Sequence, residues 1–146
     1  MTYREIWRVP VWWAVIGLGV GLGAAAEVHQ GAGGLRAVLP YVLIPLVVLG
    51  ALLYLSRQRV LVQYGVLHVP GARAPLDAFD APETLDRDGL RLYLGPAAKR
   101  HAWVVVKPWH HAAVLLTVRD PEDQTPYWLV GTRHPEALAA AVRTSP

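Results

Sequence analysis

The 146-residue chain contains no cysteine. This rules out a disulfide framework and any thiolate metal site, and it leaves the redox compartment unread. Lysine is nearly missing as well. Lys99 and Lys107 are the only two, and the net charge of +3 is too weak for the basic footprint of a nucleic-acid binder. A third lack is local: charge is absent from residue 9 up to Glu27 and again from 37 to 56. These apolar runs of about 18 and 20 residues have the length that crosses a bilayer core. A core helix buried in so small a protein would need neither that length nor apolar residues all round.

What is present divides the chain. It is 53% hydrophobic yet 17% charged, and most of the charge crowds into 57–143, so a membrane third precedes a polar remainder. The expected organisation is an α+β membrane protein. Residues 1–58 form a transmembrane helical hairpin, with spans at about 9–27 and 37–56 joined by an outer loop, 28–36. Residues 59–146 form one small β domain, which is about as many residues as a single core can organise. Arg4 and Arg8 precede the first span and Arg57 and Arg59 follow the second, while the connection offers Arg36. The positive-inside rule then places both termini in the cytoplasm of a multi-pass plasma-membrane protein, with Trp7, Trp12, Trp13 and Tyr54 at the inner interface. Arg4, Arg8, the apolar core 11–22 and Ala24-Ala25-Ala26 also resemble a secretory signal. The length of the apolar run and the acidic Glu5 argue for the membrane span instead.

Within the first span Gly17 and Gly21 share one helical face, and Gly19 and Gly23 another. Two stripes of small residues predict two close helix contacts. One receives the second span; the other is left for a second copy or a foreign helix. Glu27 and Arg36 are expected to pair at the outer boundary and close the hairpin. Pro40 is expected near the start of the second span, and Pro45 in its interior should kink it.

Beyond Arg57 the period changes to two. Strands are expected at 60–64 and 66–69, with a turn at Gly65, then at 72–76 after Pro70-Gly71. Residues 77–88 read as a carboxylate-rich connection. Further strands are expected at 102–106, 113–119 and 127–132, and a closing helix at 135–144, where Pro135 suits the first turn and Glu136 the dipole. A small barrel or sandwich plugged by one helix fits this order.

The hairpin from Arg59 to Val69, then Ala74-Pro75-Leu76, and the closing run from Tyr127-Trp128-Leu129-Val130-Gly131-Thr132 through Arg133-His134-Pro135-Glu136 to Leu138 resemble bacterial pleckstrin-homology-like domains attached to paired membrane helices. More closely, the chain resembles an actinobacterial family of two-helix membrane proteins known only as a domain of unknown function. The matching stretches are Tyr3-Arg4-Glu5, Ala26-Glu27-Val28-His29, Lys107-Pro108-Trp109 and the run from Asp120-Pro121-Glu122 to Pro126-Tyr127-Trp128. The resemblance implies a fold and an address, and no activity. Pleckstrin-homology domains that bind phosphoinositides crowd basic residues into the first hairpin turn. Gln63-Tyr64-Gly65 has none, so headgroup recognition at that turn is not implied.

No catalytic motif is legible. His101, His110 and His111 are the candidate metal ligands, but adjacent strand residues point to opposite faces and no thiolate can assist. The expected function is that of a non-enzymatic interaction or scaffold protein without a cofactor. Its partners are the lipid bilayer and a protein, or a second copy bound through the first span. Lys107, Trp109 and Trp128 are the candidate partner-binding residues, because aromatics beside a positive charge are common at such contacts. The alternatives are an accessory subunit of a larger membrane complex, or a small membrane metal-binding protein or enzyme using the three histidines.

Overall fold

The computed structural model describes residues 3–29 and 34–144, apart from the side chains of Val28, Arg36 and Ala37. Among the described residues the fold is α+β, with four α-helices and two small sheets. The chain divides into two compact units, one of Ile6–Gln58 and one of Met1–Glu5 with Arg59–Pro146.

The first unit is a pair of packed helices, α1 (Val11–His29) and α2 (Leu35–Ser56). Its backbone is tied at one end, where Trp7 N–H donates to the Gln58 carbonyl at 3.0 Å and Val9 N–H to Ser56 Oγ at 3.4 Å. Near the other end the ring of His29 meets Tyr41 edge-on at 5.9 Å. Between these ties the glycines set the approach. A methyl group added at Gly17 would lie 3.0 Å from Val48 Cγ1, and one at Gly21 would lie 2.8 Å from Ile44 Cγ2. Ala25, one turn further on, is fully buried. Small residues spaced four apart thus let the two backbones come together. A methyl at Gly19 or Gly23 would meet nothing within 4 Å. Both helices turn apolar side chains outward, from Val11 (80% exposed) to Val47 (69%).

By length and composition one described helix is long and apolar enough to cross a membrane. It is α2, whose Val38–Ser56 stretch has 19 residues and a mean hydropathy of 2.4. The apolar stretch of α1, Val11–Glu27, is shorter. The helix α2 continues through both Pro40 and Pro45. Of the rings expected at an interface, Trp12 and Tyr54 are exposed, but Trp7 is 1% exposed and so belongs to packing. The pair expected between Glu27 and Arg36 rests on a side chain outside the described residues.

The second unit carries the sheets. One runs in the order β1 (Tyr3–Ile6), β2 (Arg59–Gln63), β3 (Val66–Val69) and β4 (Ala72–Pro75). Its turns follow from residue chemistry. Tyr64 at φ 51° and Gly65 at φ 71° join Gln63 to Val66 in the two-residue turn whose twist suits a hairpin. Pro70 and Gly71, the latter at φ 86°, join Val69 to Ala72, as in a turn that needs a left-handed third residue. Strand β1 lies where only the basic flank of the first span was expected. Glu5 alternates with Arg4 and Ile6 and points inward, and a buried charge hides the period that would betray a strand.

The other sheet runs β5 (Glu83–Leu85), β7 (Ala113–Thr117), β8 (Tyr127–Gly131) and β6 (Trp103–Val105), with β6 and β8 parallel. Leu85, Ala113, Leu115, Tyr127 and Leu129 form a cluster with Leu90 of α3 (Arg87–Leu94). Val114, Leu116 and Val130, on the opposite face, are also fully buried. Helix α4 (Pro135–Thr144) packs on β5 and β7 and buries Leu138, Ala139, Ala141 and Val142.

Two expectations need correction. The charged region is no simple connection, because β5 and α3 lie in it. Asp86 starts α3 by accepting from Gly89 N–H at 2.8 Å, which satisfies one of the free donors of the first turn. Nor is there a closed barrel among the described residues: the sheets are separate ladders, and β6 is a three-residue edge strand bonded to β8 alone.

The glycine geometry makes a paired prediction. In the purified protein, Gly21→Leu should lower thermal stability by roughly 1–3 kcal/mol through overpacking against Ile44. Gly23→Leu should be neutral or slightly stabilising because glycine is a poor helix former. Equal effects of the two would refute the assigned packing.

Candidate functional site

Among the described residues the buried polar side chains of the second unit are Glu5, His110 and Thr132, and Glu5 and Thr132 lie close to Tyr3. Glu5 is 8% exposed and Thr132 fully buried. Tyr3 OH donates to Glu5 Oε2 at 2.7 Å and lies 3.3 Å from Thr132 Oγ1, the Thr132 hydroxyl donates to Glu5 Oε2, and Arg133 N–H donates to Glu5 Oε1 at 3.0 Å. One buried carboxylate thereby receives three donors, which is how a buried charge escapes a large desolvation penalty. Thr132 Oγ1 also accepts from His134 N–H at 3.0 Å. The His134 carbonyl accepts from Leu138 N–H at 3.1 Å, so Thr132 also orders the start of α4. Burial, opposed by the hydrogen bond to Thr132 and reinforced by Glu5, pushes the Tyr3 phenol well up and keeps it a donor at any ordinary pH.

His110 completes the site. The turn from Lys107 brings it inward: His110 N–H donates to the Lys107 carbonyl at 2.9 Å, and Lys107 N–H donates to His110 Nδ1 at 3.2 Å. With Nδ1 accepting, the proton of the neutral ring sits on Nε2. The ring lies over Gly131, where an added methyl would come within 2.9 Å of His110 Cγ, so the end of β8 has space only for glycine. Burial first, then the charges of Arg133, Lys107 and His111, push the His110 pKa down to about 4, with Glu5 pulling the other way. The ring is therefore neutral at pH 7.

Chemically this is a latch. The Thr132 hydroxyl spends its proton on Glu5, and Glu5 is committed to three donors, so the geometry serves to fasten β1 to the β8–α4 junction.

Of the residues singled out in the sequence, His110 lies in this site, held by the backbone of Lys107, and the others serve differently. Trp109 is 8% exposed and stands edge-on to His110 at 6.3 Å; it is a packed ring and not an exposed contact. Trp128 is half-buried, edge-on to Phe79 at 5.3 Å and tilted against Trp103 at 6.0 Å. The exposed indole of the second unit is Trp103, at 38%. Lys107 is half-buried, His101 and His111 are exposed while His110 is buried, and no group of three His, Asp or Glu among the described residues could hold a metal ion. His111 instead lines an open groove of about 600 Å³ with Glu83, Asp86, Arg87 and Glu136. Sequence reasoning missed Tyr3, Glu5 and Thr132 as one site. The only local signal was a glutamate in an otherwise basic leader.

Two outcomes test the latch. Thr132→Val removes one donor from Glu5 and should cost about 1–3 kcal/mol in thermal or urea unfolding. An unchanged midpoint would mean that the contact carries no stability. His110 takes up its proton at 6.5 when unfolded but near 4 when folded, so acid favours the unfolded chain within that window. Stability should fall by roughly 3 kcal/mol as pH drops through it and then level off, and His110→Gln should abolish that part of the pH dependence.

No match is found among curated proteins or among solved structures. One family model does match, over residues 2–142, a span that takes in both helices of the first unit and nearly all of α4. The chain therefore belongs to the DUF3093 family, described as a protein of unknown function.

Proposed function

We propose that the chain is a membrane-anchored, non-enzymatic interaction or scaffold protein of the plasma membrane. In this reading α1 and α2 cross the bilayer together as a hairpin with both termini cytoplasmic, and the second unit is a pleckstrin-homology-like domain held at the inner face. The observation that carries the proposal is the outward apolar surface of the paired helices. Val11, Val15, Val20, Leu35, Leu46 and Val47 are each more than 60% exposed, far more apolar surface than a water-soluble monomer leaves uncovered. Hydrogen bonds from Trp7 N–H to the Gln58 carbonyl and from Val9 N–H to Ser56 Oγ bind the approach to α1 to the end of α2, which suits two helices that cross as a pair. Arg4, Arg8, Arg57 and Arg59 flank the helices on the side of the termini, the bias found on cytoplasmic segments. Two sheets followed by a terminal helix suit the pleckstrin-homology-like reading. The latch suits a scaffold, because it stiffens a domain without exposing a reactive group.

A second reading, as an accessory subunit of a larger membrane complex, is favoured by the open face at Gly19 and Gly23, which is shaped for close approach of another helix or a second copy.

The protein should stay in the membrane pellet after alkaline carbonate washing, and a C-terminal tag should become reactive only after the cells are permeabilised. Release into the supernatant, or a tag reactive on intact cells, would overturn the proposal.

A further inference from the structure

We infer that the open face of the first sheet docks onto anionic phospholipid headgroups, an inference that rests on the membrane-anchored reading. The strands alternate, so one face buries Val60, Val62, Leu67 and Val69 and the other presents Arg4 from β1, Arg59 from β2, His68 from β3 and Arg73 from β4. The register places Leu61, His68 and Arg73 in one row across the sheet. Arg4, Arg59, Gln63 and His68 line a cleft of about 440 Å³, and a neighbouring cleft of about 310 Å³ shares His68 and adds Arg73. The three arginines are exposed, and among the described residues none of their side chains makes a hydrogen bond or an ion pair.

Charge selects the occupant. Residues 1–76 hold six of the fourteen basic residues and only two of the eleven acidic ones, Glu5 and Glu27. Glu5 points to the opposite face and is consumed by the latch, and Glu27 lies in α1. Neither cleft is lined by a carboxylate, and among the described residues no ion pair reaches these arginines. Guanidinium groups in fork geometry match phosphate oxygens, and each cation near an anionic leaflet adds to membrane affinity. The chain itself favours lipid over a free acidic protein. Arg59 follows the last residue of α2, Ser56, by three positions, so its backbone lies within about 10 Å of the end of that helix, and tethering keeps headgroups at high local concentration. The site is distinct from the Tyr64–Gly65 turn, which carries no basic residue.

The absence of native cysteine allows a single-label test on the full chain. Gln63→Cys, carrying an environment-sensitive fluorophore, is placed in nanodiscs of phosphatidylcholine alone or mixed with phosphatidylglycerol. Glu122→Cys, in the acidic loop before β8, serves as the control position. The anionic discs should give a blue shift and a several-fold drop in acrylamide quenching at residue 63 only. High salt should reverse both, because screening weakens surface charge attraction, and Arg59→Gln combined with Arg73→Gln should abolish both. Equal signals in the two lipid compositions would overturn the inference, whether the label is free in both or covered in both, and the second result would point to protein contact. Co-elution with the discs is scored separately. A chain that fails to co-elute rejects the membrane reading, whereas a chain that co-elutes without a lipid-dependent response rejects only the docking face.

Discussion

The sheet-bearing unit depends on one buried carboxylate, because Glu5 reaches from the first strand to the Thr132–Arg133 junction across nearly the whole length of the chain. Strand β1 lies before α1, and β2 lies after α2. A strand of four residues separated from its neighbour by two long helices has little local reason to stay in place, since the closure entropy of that excursion must be met by contacts elsewhere. Three donors converging on Glu5 supply a directional contact, and burial strengthens each of them.

Two kinds of tight packing surround that contact, and both use the smallest residue for the same reason. At Gly17 and Gly21 the missing side chain lets α1 and α2 approach. At Gly131 it lets the His110 imidazole lie directly over the strand, which places a neutral histidine beside the latch. The first case is a helix–helix seam and the second a ring-on-backbone seam. In each, a single methyl group would fill space that a neighbour already occupies.

The proposed roles follow from how the polar groups are distributed. Those at the latch are turned inward and satisfied, as befits a rigid domain. The arginines of the first sheet are turned outward and left without partners. Unsatisfied cations on a short tether from an apolar helix pair make electrostatic contact with a membrane the natural outlet for this face.

The sequence by itself determined the elements whose signal is local. These are the two apolar helices, read from uncharged runs; the hairpins at Tyr64–Gly65 and Pro70–Gly71, read from residues that tolerate left-handed backbone; the strands β7 and β8, read from unbroken apolar runs; and α4, read from its apolar spacing. The two glycine faces of α1 were legible too, because helical geometry alone separates them. Short elements stayed hidden. In β5 and α3 the polar residues that cap and cover them mask the period, and in β1 the inward residue is charged. Only the tertiary structure decided that Glu5 is a core residue, that Trp109 is packed while Trp103 is exposed, and that His110 sits neutral over Gly131. Each of these depends on partners more than a hundred residues away or across a sheet, and burial is a property of the assembled neighbours that no window of sequence contains.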